Sequence, residues 1–276
     1  MRVAVTGGKG GTGKSTIATA LAYRLSRDNH VLLVDADVDN PNDHILLSMK
    51  RKFVRNVEQI IPEWDLEKCI KCGRCSEVCK TNSIVFVKER YPIFVEEQCN
   101  GCGACMIVCP VKAIKKSKKI IGRLYLSNKG NLSLISGEIH PGQPLSENIV
   151  SALKEYASEL EESYDMILID TAAGTHCPVI TALKGCDVAL AVTEPTPFGA
   201  HDLELILRLL KILKIPSKIV LNRCDIGRRN LIERVAKKFN ADIIAEIPYD
   251  KNILLSFSQG KPIEKYTDKV IEALEL

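Results

Sequence analysis

The sequence predicts an α/β fold with a mostly parallel sheet, carrying a smaller α+β insert. Three observations predict it. Apolar runs at Val3–Thr6, Val31–Val34, Met166–Ile169 and Val188–Thr193 read as buried parallel strands and alternate with helical periodicities. A glycine-rich turn joins the first strand to the first helical pattern. Between Cys69 and Cys109 stand eight of the eleven cysteines, in two runs of matching spacing.

Composition sets the outer bounds. The 276 residues can bury a sizeable core, and one large domain plus a small one is the expectation. At 46% hydrophobic and 26% charged, the chain reads as an ordinary soluble protein. A net charge of +4 gives no ground for non-specific nucleic-acid binding. Residues 60–125 are locally basic, with 12 Lys/Arg against 7 Asp/Glu. Met1 leads directly into a strand, and no run approaches membrane-spanning length, so a cytoplasmic protein without stable membrane insertion is expected.

The turn Gly7-Gly8-Lys9-Gly10-Gly11-Thr12-Gly13-Lys14-Ser15-Thr16 satisfies G-x-x-x-x-G-K-[ST] from Gly8. Its glycines let backbone N–H groups wrap a phosphate at a helix N-terminus. Lys14 would reach the β- and γ-phosphates, and the Ser15 hydroxyl would ligate Mg²⁺. A glycine turn with no ligand is the plainer reading, but strand, turn and helix all stand in the required order. Residues Gly8 to Thr16 are therefore the candidate nucleotide cradle.

Lys9 extends the motif. Lys9-Gly10-Gly11-Thr12-Gly13-Lys14-Ser15 resembles the deviant Walker A of the MinD/ParA superfamily, a branch of the P-loop NTPases. That resemblance implies ATP as ligand, hydrolysis as activity and a nucleotide-sandwich dimer in which Lys9 acts in trans beside Lys14. It also implies roles in Asp35-Ala36-Asp37, just past the second strand: Asp35 supports Mg²⁺, and Asp37 positions or activates water. Asp170-Thr171-Ala172-Ala173-Gly174 stands where the family's second switch reads D-x-P-P-G, so Asp170 would meet Mg²⁺ through water and the Gly174 N–H the γ-phosphate. Both prolines are alanine here, which adds backbone freedom. Asn222-Arg223-Cys224-Asp225 resembles the base-reading N-K-x-D, with Asn222 the stronger contact and Asp225 the weaker. Asp39 and Asn42 read first as turn formers.

The cysteine runs are Cys69-x-x-Cys72-x-x-Cys75-x-x-x-Cys79 and Cys99-x-x-Cys102-x-x-Cys105-x-x-x-Cys109-Pro110. Zinc sites use separated pairs, often with histidine, and no histidine lies between Cys69 and Cys109. A disulfide framework would need a secreted protein. The spacing resembles a bacterial-type ferredoxin module with two [4Fe-4S] clusters. On that resemblance Cys69, Cys72, Cys75 and Cys109 hold one cluster, and Cys79, Cys99, Cys102 and Cys105 the other. Lys80 replaces the proline usual after the first run. Cys177 follows the second switch; a packed or idle thiol is the commoner fate of a lone cysteine, and Cys186 and Cys224 read as packing residues.

The expected organisation is a discontinuous P-loop domain, 1–60 and 119–276, around an inserted ferredoxin-like domain, 61–118. Pro62 would open the insert and Lys115-Lys116-Ser117-Lys118-Lys119 close it as a solvated junction. Short strands are expected at 84–87, 93–95, 122–127 and 132–136, a short helix at 43–50 and a terminal helix at 263–276. The combined reading is an ATPase whose nucleotide state is coupled to two clusters, serving ATP-gated electron transfer to a redox partner. The alternatives are an assembly ATPase serving an apo-metalloprotein and an interaction module with little turnover. The expected dimer is a homodimer or a heterodimer with a related ATPase.

Overall fold

The computed structural model describes residues 1–262 and 264–274, excluding the side chains of Leu254 and Phe257. In chain order, β1 (Arg2–Thr6), α1 (Lys14–Leu25), β2 (Val31–Ala36) and α2 (Asp43–Leu46) form the first half of the host fold. The cysteine-rich region follows, with β3 (Lys52–Trp64), α3 (Arg74–Glu77), β4 (Ile84–Val85), β5 (Ile93–Phe94), α4 (Ala104–Ile107) and β6 (Ile114–Lys129). The host resumes with β7 (Leu132–Ile139), α5 (Ser146–Leu160), β8 (Met166–Thr171), α6 (Cys177–Leu183), β9 (Val188–Thr193) and α7 (Pro197–Leu213). It ends with β10 (Ser217–Asn222), α8 (Arg229–Phe239), β11 (Asp242–Ile247), α9 (Lys251–Ser258) and α10 (Thr267–Leu274).

Among the described residues the main sheet has nine strands, ordered β11-β10-β9-β1-β8-β2-β7-β6-β3. The run from β11 to β7 is parallel, whereas β6 and β3 are antiparallel additions at one edge. The apolar runs are continuous because both sheet faces are covered. In β2, Val31 and Leu33 pack with Ile17 and Leu21 of α1 and Val270 of α10. Leu32 and Val34 belong to the opposite core, with Ile149 and Leu153 of α5 and Leu207 of α7.

The strands that flank the cysteine-rich stretch run past the expected limits of 61–118. The β3–β6 ribbon pairs from Lys52↔Leu126 to Trp64↔Ile114, so both strands run unbroken from the host sheet into the cysteine-rich region. Pro62 lies inside β3, opposite Lys116; an edge strand tolerates proline because one side of it has no ladder partner. The lysine run 115–119 is strand, not junction, and Lys119 is buried with its Nζ donating to the Glu96 carbonyl at 2.9 Å. The expected strand 122–127 is only the host end of β6.

Smaller differences follow from context. The expected helix at 43–50 is a four-residue α2, and the strands at 84–87 and 93–95 shorten to two residues each. Helices α6 and α9 are short, whereas α8 is amphipathic and buries Ile232, Val235 and Ala236 on one face. The terminal helix docks as expected, burying Val270 and Leu274, but spans Thr267–Leu274. Ile263, Glu275 and Leu276 lie outside the described residues. Its acidic side is used: Asp268 pairs with Arg24 at 3.1 Å and Glu264 with Arg27 at 2.6 Å. No helix among the described residues is long and apolar enough to cross a membrane.

Candidate functional site

The turn between β1 and α1 is held open by backbone geometry that glycine supplies. Gly13 has φ +95°, and a Cβ there would lie 2.5 Å from the Asn222 side chain. Lys14 begins α1, is largely buried, and donates from Nζ to the Lys9 carbonyl at 3.1 Å. Burial lowers its pKa, opposed by the charges of Asp170 and Asp37. The turn lines one wall of a cleft of about 460 Å³, which Asp37, Asn40 and Asn42 border on one side. Lys9 faces outward and pairs with the buried Glu194 at 3.4 Å.

Acids gather at the C-terminal ends of β2 and β8, where parallel sheets present ligand sites. Asp35 and Asp170 are register partners, each 1% exposed. Asp35 accepts from the backbone N–H of Asp37 at 3.2 Å and of Asp43 at 3.1 Å. Burial and the neighbouring Asp170 push its carboxyl well above the usual range. Burial raises Asp170 to about 7, offset by the Ser15 side chain and Lys14. Asp37, half-buried, is raised by burial and steadied by Lys14. Asp43 was not singled out by the sequence, yet it is fully buried beside Asp35. An acid in the first turn of a helix carries no signal of burial.

The eight cysteines divide four and four. One cavity is lined by Cys69, Cys72, Cys75 and Cys109; a second of similar size is lined by Cys79, Cys99, Cys102 and Cys105. Each set thus draws its fourth cysteine from the other run. The Ala113 N–H donates to Cys109 Sγ at 3.2 Å, and the Gly101 N–H to Cys99 Sγ at 3.4 Å. Around Cys79, burial alone would raise the thiol, but the Ser83 and Thr81 hydroxyls and backbone N–H groups outweigh it and bring it to about 7. Burial drives Cys105 the other way, to about 11. Among the described residues, no three or more His, Cys, Asp or Glu side chains gather closely enough to hold a single metal ion.

The model of the CobQ/CobB/MinD/ParA nucleotide binding domain matches residues 3–263. The chain belongs to this family. An uncharacterised protein of Methanocaldococcus jannaschii is 38% identical over 268 residues, covering 97% of this chain and 93% of that protein. The cell division ATPase MinD of Pyrococcus furiosus aligns over 100% of this chain and 98% of its own, with TM-score 0.62 and 20% identity. MinD of Pyrococcus horikoshii, complexed with Mg-ADP, aligns over 95% and 86%, with TM-score 0.59 and 19% identity. At those identities the two structures speak for the fold.

Several of the remaining candidates stand differently from the MinD/ParA expectation. Asn222 lines the cleft, but its Nδ2 donates to the Thr12 carbonyl at 2.8 Å and its Oδ1 accepts from the Arg223 N–H at 3.0 Å. It braces the glycine-rich turn with both ends of its amide. Asp225 is not in the cleft wall; its Oδ1 accepts from the Tyr249 N–H at 2.7 Å and holds the turn after β11. Pro248 and Tyr249 on that turn do line the cleft. They are separated from Asp225 by more than twenty residues, so nothing local in the sequence marks the pairing. The Gly174 N–H donates to the Gly7 carbonyl at 3.1 Å instead of facing the cleft. Cys177 is exposed at the start of α6, while Cys186 packs into the core and Cys224 against it.

Proposed function

We propose that the chain is an ATP-binding and hydrolysing dimeric ATPase whose nucleotide state is coupled to two [4Fe-4S] clusters for gated electron transfer. The nucleotide half rests on the cleft. Gly8, Gly10, Gly11 and Gly13 with Thr12 and Thr16 would cradle phosphates, and Lys14 would turn from the Lys9 carbonyl to the β- and γ-oxygens. Ser15, Asp35 and Asp170 would hold Mg²⁺ directly or through its waters. Asp37, at the cleft rim, would orient the attacking water, and Lys9 would serve the partner subunit's nucleotide.

The cysteine half rests on the fit of the thiols to a polynuclear group. Four thiolates on one zinc would lie about 3.8 Å apart at a Zn–S distance near 2.3 Å. The cysteines line two separate cavities, four to each, with one member of each set drawn from the other run, which is the division that the two-cluster spacing implies. Cluster iron would be held by Cys69, Cys72, Cys75 and Cys109 in one cavity and by Cys79, Cys99, Cys102 and Cys105 in the other, and would supply one-electron storage there. The stretch from Asp65 to Ile114 has one small hydrophobic cluster, Cys75, Ile84, Cys105 and Ile114, with partly buried neighbours. A unit that small needs cross-links or metal to stay folded.

The observation that carries the coupling is a continuous hydrogen-bonded path. The Val38 carbonyl, next to Asp37, accepts from the Ile139 N–H at 3.0 Å. Ile139 is the register partner of Gly122, and the His140 N–H donates to the Ile121 carbonyl at 2.8 Å. Across the ribbon Val57 pairs with Gly122, and two residues on, Gln59 Nε2 donates to the Cys99 carbonyl at 2.7 Å. A shift of the Asp37 loop has therefore a path of rigid elements to the second cysteine set.

Delivery of clusters to an apo-protein is the second reading, favoured by the exposure of Cys72 and Cys102. Anaerobic purification and electron paramagnetic resonance separate the two. About eight irons per chain and a potential that moves with ATP support gating. Transfer of iron to an apo-acceptor supports delivery, and a colourless protein with zinc rejects both.

A further inference from the structure

We propose that Asp43 is a positioning residue for the divalent cation of the nucleotide site, an outer-sphere acceptor standing behind Asp35. The inference deepens the magnesium–nucleotide reading above and rests on it. Asp43 is 0% exposed, and neither of its carboxylate oxygens has a hydrogen-bond partner. Both oxygens of Asp170 are buried too and lack a well-formed hydrogen bond, the Ser15 side chain being the one donor close enough to steady that carboxyl. A third unpartnered group is not an acid: the Ser136 hydroxyl, 1% exposed.

Register places these groups together. Asp35 on β2 is flanked by its partners Asp170 on β8 and Ser136 on β7, three side chains on one face at the C-terminal ends of adjacent parallel strands. The N–H of Asp43 donates to Asp35 Oδ2 at 3.1 Å, which brings the start of α2 over this row. The charges that bear on Asp43 are Asp35, Asp170 and Asp37, all acids, with no basic group among them. A short-helix structural role does not account for this, because the carboxylate accepts no hydrogen bond from the turn it begins.

Buried oxygens without donors carry a desolvation cost of several kcal/mol unless a cation or its water shell supplies the donors. Magnesium suits the arrangement. It takes one or two carboxylates and substrate phosphates and keeps several waters, so it does not require three acids converging on one point. Waters on the ion would donate to Asp43, Asp170 and Ser136, orienting the first shell from behind.

The test is Asp43→Asn in the full chain, which keeps the N–H that Asp35 uses and nearly the same shape. Mg²⁺ is titrated into protein and ATP while hydrolysis is followed, and ATP binding is measured separately in EDTA. The Mg²⁺ concentration for half-maximal activity should rise about tenfold, as loss of an outer-shell partner does. ATP affinity in EDTA should stay within about twofold, showing an intact cleft. An unchanged Mg²⁺ midpoint overturns the proposal. An equal loss of affinity with and without Mg²⁺ also overturns it, since that is the mark of a packing residue. If the unsubstituted protein hydrolyses ATP without any divalent ion, the underlying magnesium reading has failed instead.

Discussion

Lys9 is held within its own subunit by Glu194, Nζ to Oε2 at 3.4 Å. Glu194 has a side chain only 6% exposed and pairs at its other oxygen with Arg223, the residue after Asn222. One buried carboxylate thus ties the signature lysine to the base-side loop. A lysine that serves the partner's nucleotide must leave this pair first. Glu194→Gln should lower the protein concentration giving half-maximal ATPase activity about five- to tenfold, the size of a modest coupling energy. It should also lower the melting temperature, because two cations lose a buried counter-charge. A concentration dependence identical to the parent protein would show that Glu194 does not restrain Lys9.

The roles of Lys14 and Asp37 separate binding from turnover. Lys14→Ala should abolish ATP binding by calorimetry. Asp37→Ala should keep binding and slow hydrolysis about a hundredfold or more, the scale of a lost general base or water-orienting group. Full turnover in both variants would remove hydrolysis from the account.

Acidity should stabilise the nucleotide-free protein through Asp170. Its native carboxyl titrates near 7 against 3.8 for an ordinary aspartate. Between those values the native chain holds the extra proton, so this contribution is full below about 3.8 and is lost as pH rises through about 7. In EDTA the melting temperature should therefore fall between pH 5 and 7.5, and Asp170→Asn should flatten the slope. Asp35, Asp37 and Asp43 are raised in the same direction by burial, so Asp170→Asn should remove part of the slope and not all of it, while Asp65, Asp250 and Glu204 sit below their ordinary values and titrate under this window. A wild-type curve that rises over the same range would contradict the assignment.

Gly101 has φ +76°, and a Cβ there would stand 2.9 Å from the Ile60 carbonyl and 3.0 Å from Gln59 Cγ. Gly101→Ala should push the second cysteine run off the ribbon. Iron should drop from about eight to about four per chain, with one resonance signal lost and ATP binding retained. Loss of both signals, or of neither, would mean that the two cavities are not loaded independently.

Local chemistry was legible in the sequence, and long-range chemistry was not. Lys14 and Ser15 announce themselves by the spacing of the phosphate-turn motif and the two cysteine runs by their repeat, whereas the role of Asp35 and the division of the cysteines into sets were expected only from resemblance. Asp43 and Glu194 owe their character to strands far away in the chain, and both resemble ordinary turn acids. Asp225 fits a base-reading motif and yet supports Tyr249, since a four-residue motif says nothing about which way its last side chain turns. Pro62 reads as a boundary, and only the edge position of β3 makes it compatible with a strand. The cysteine-rich stretch is thus carried by two strands that continue the main sheet.

That prolongation has an engineering consequence. Because β3 and β6 are already paired where they leave the host, near Glu58 and Ile120, the whole distal unit could be excised and the two chains rejoined by a tight reverse turn. The parallel strands from β11 to β7 would keep every neighbour they have now. The small distal stretch is thus joined to the rest of the sheet along one two-stranded seam.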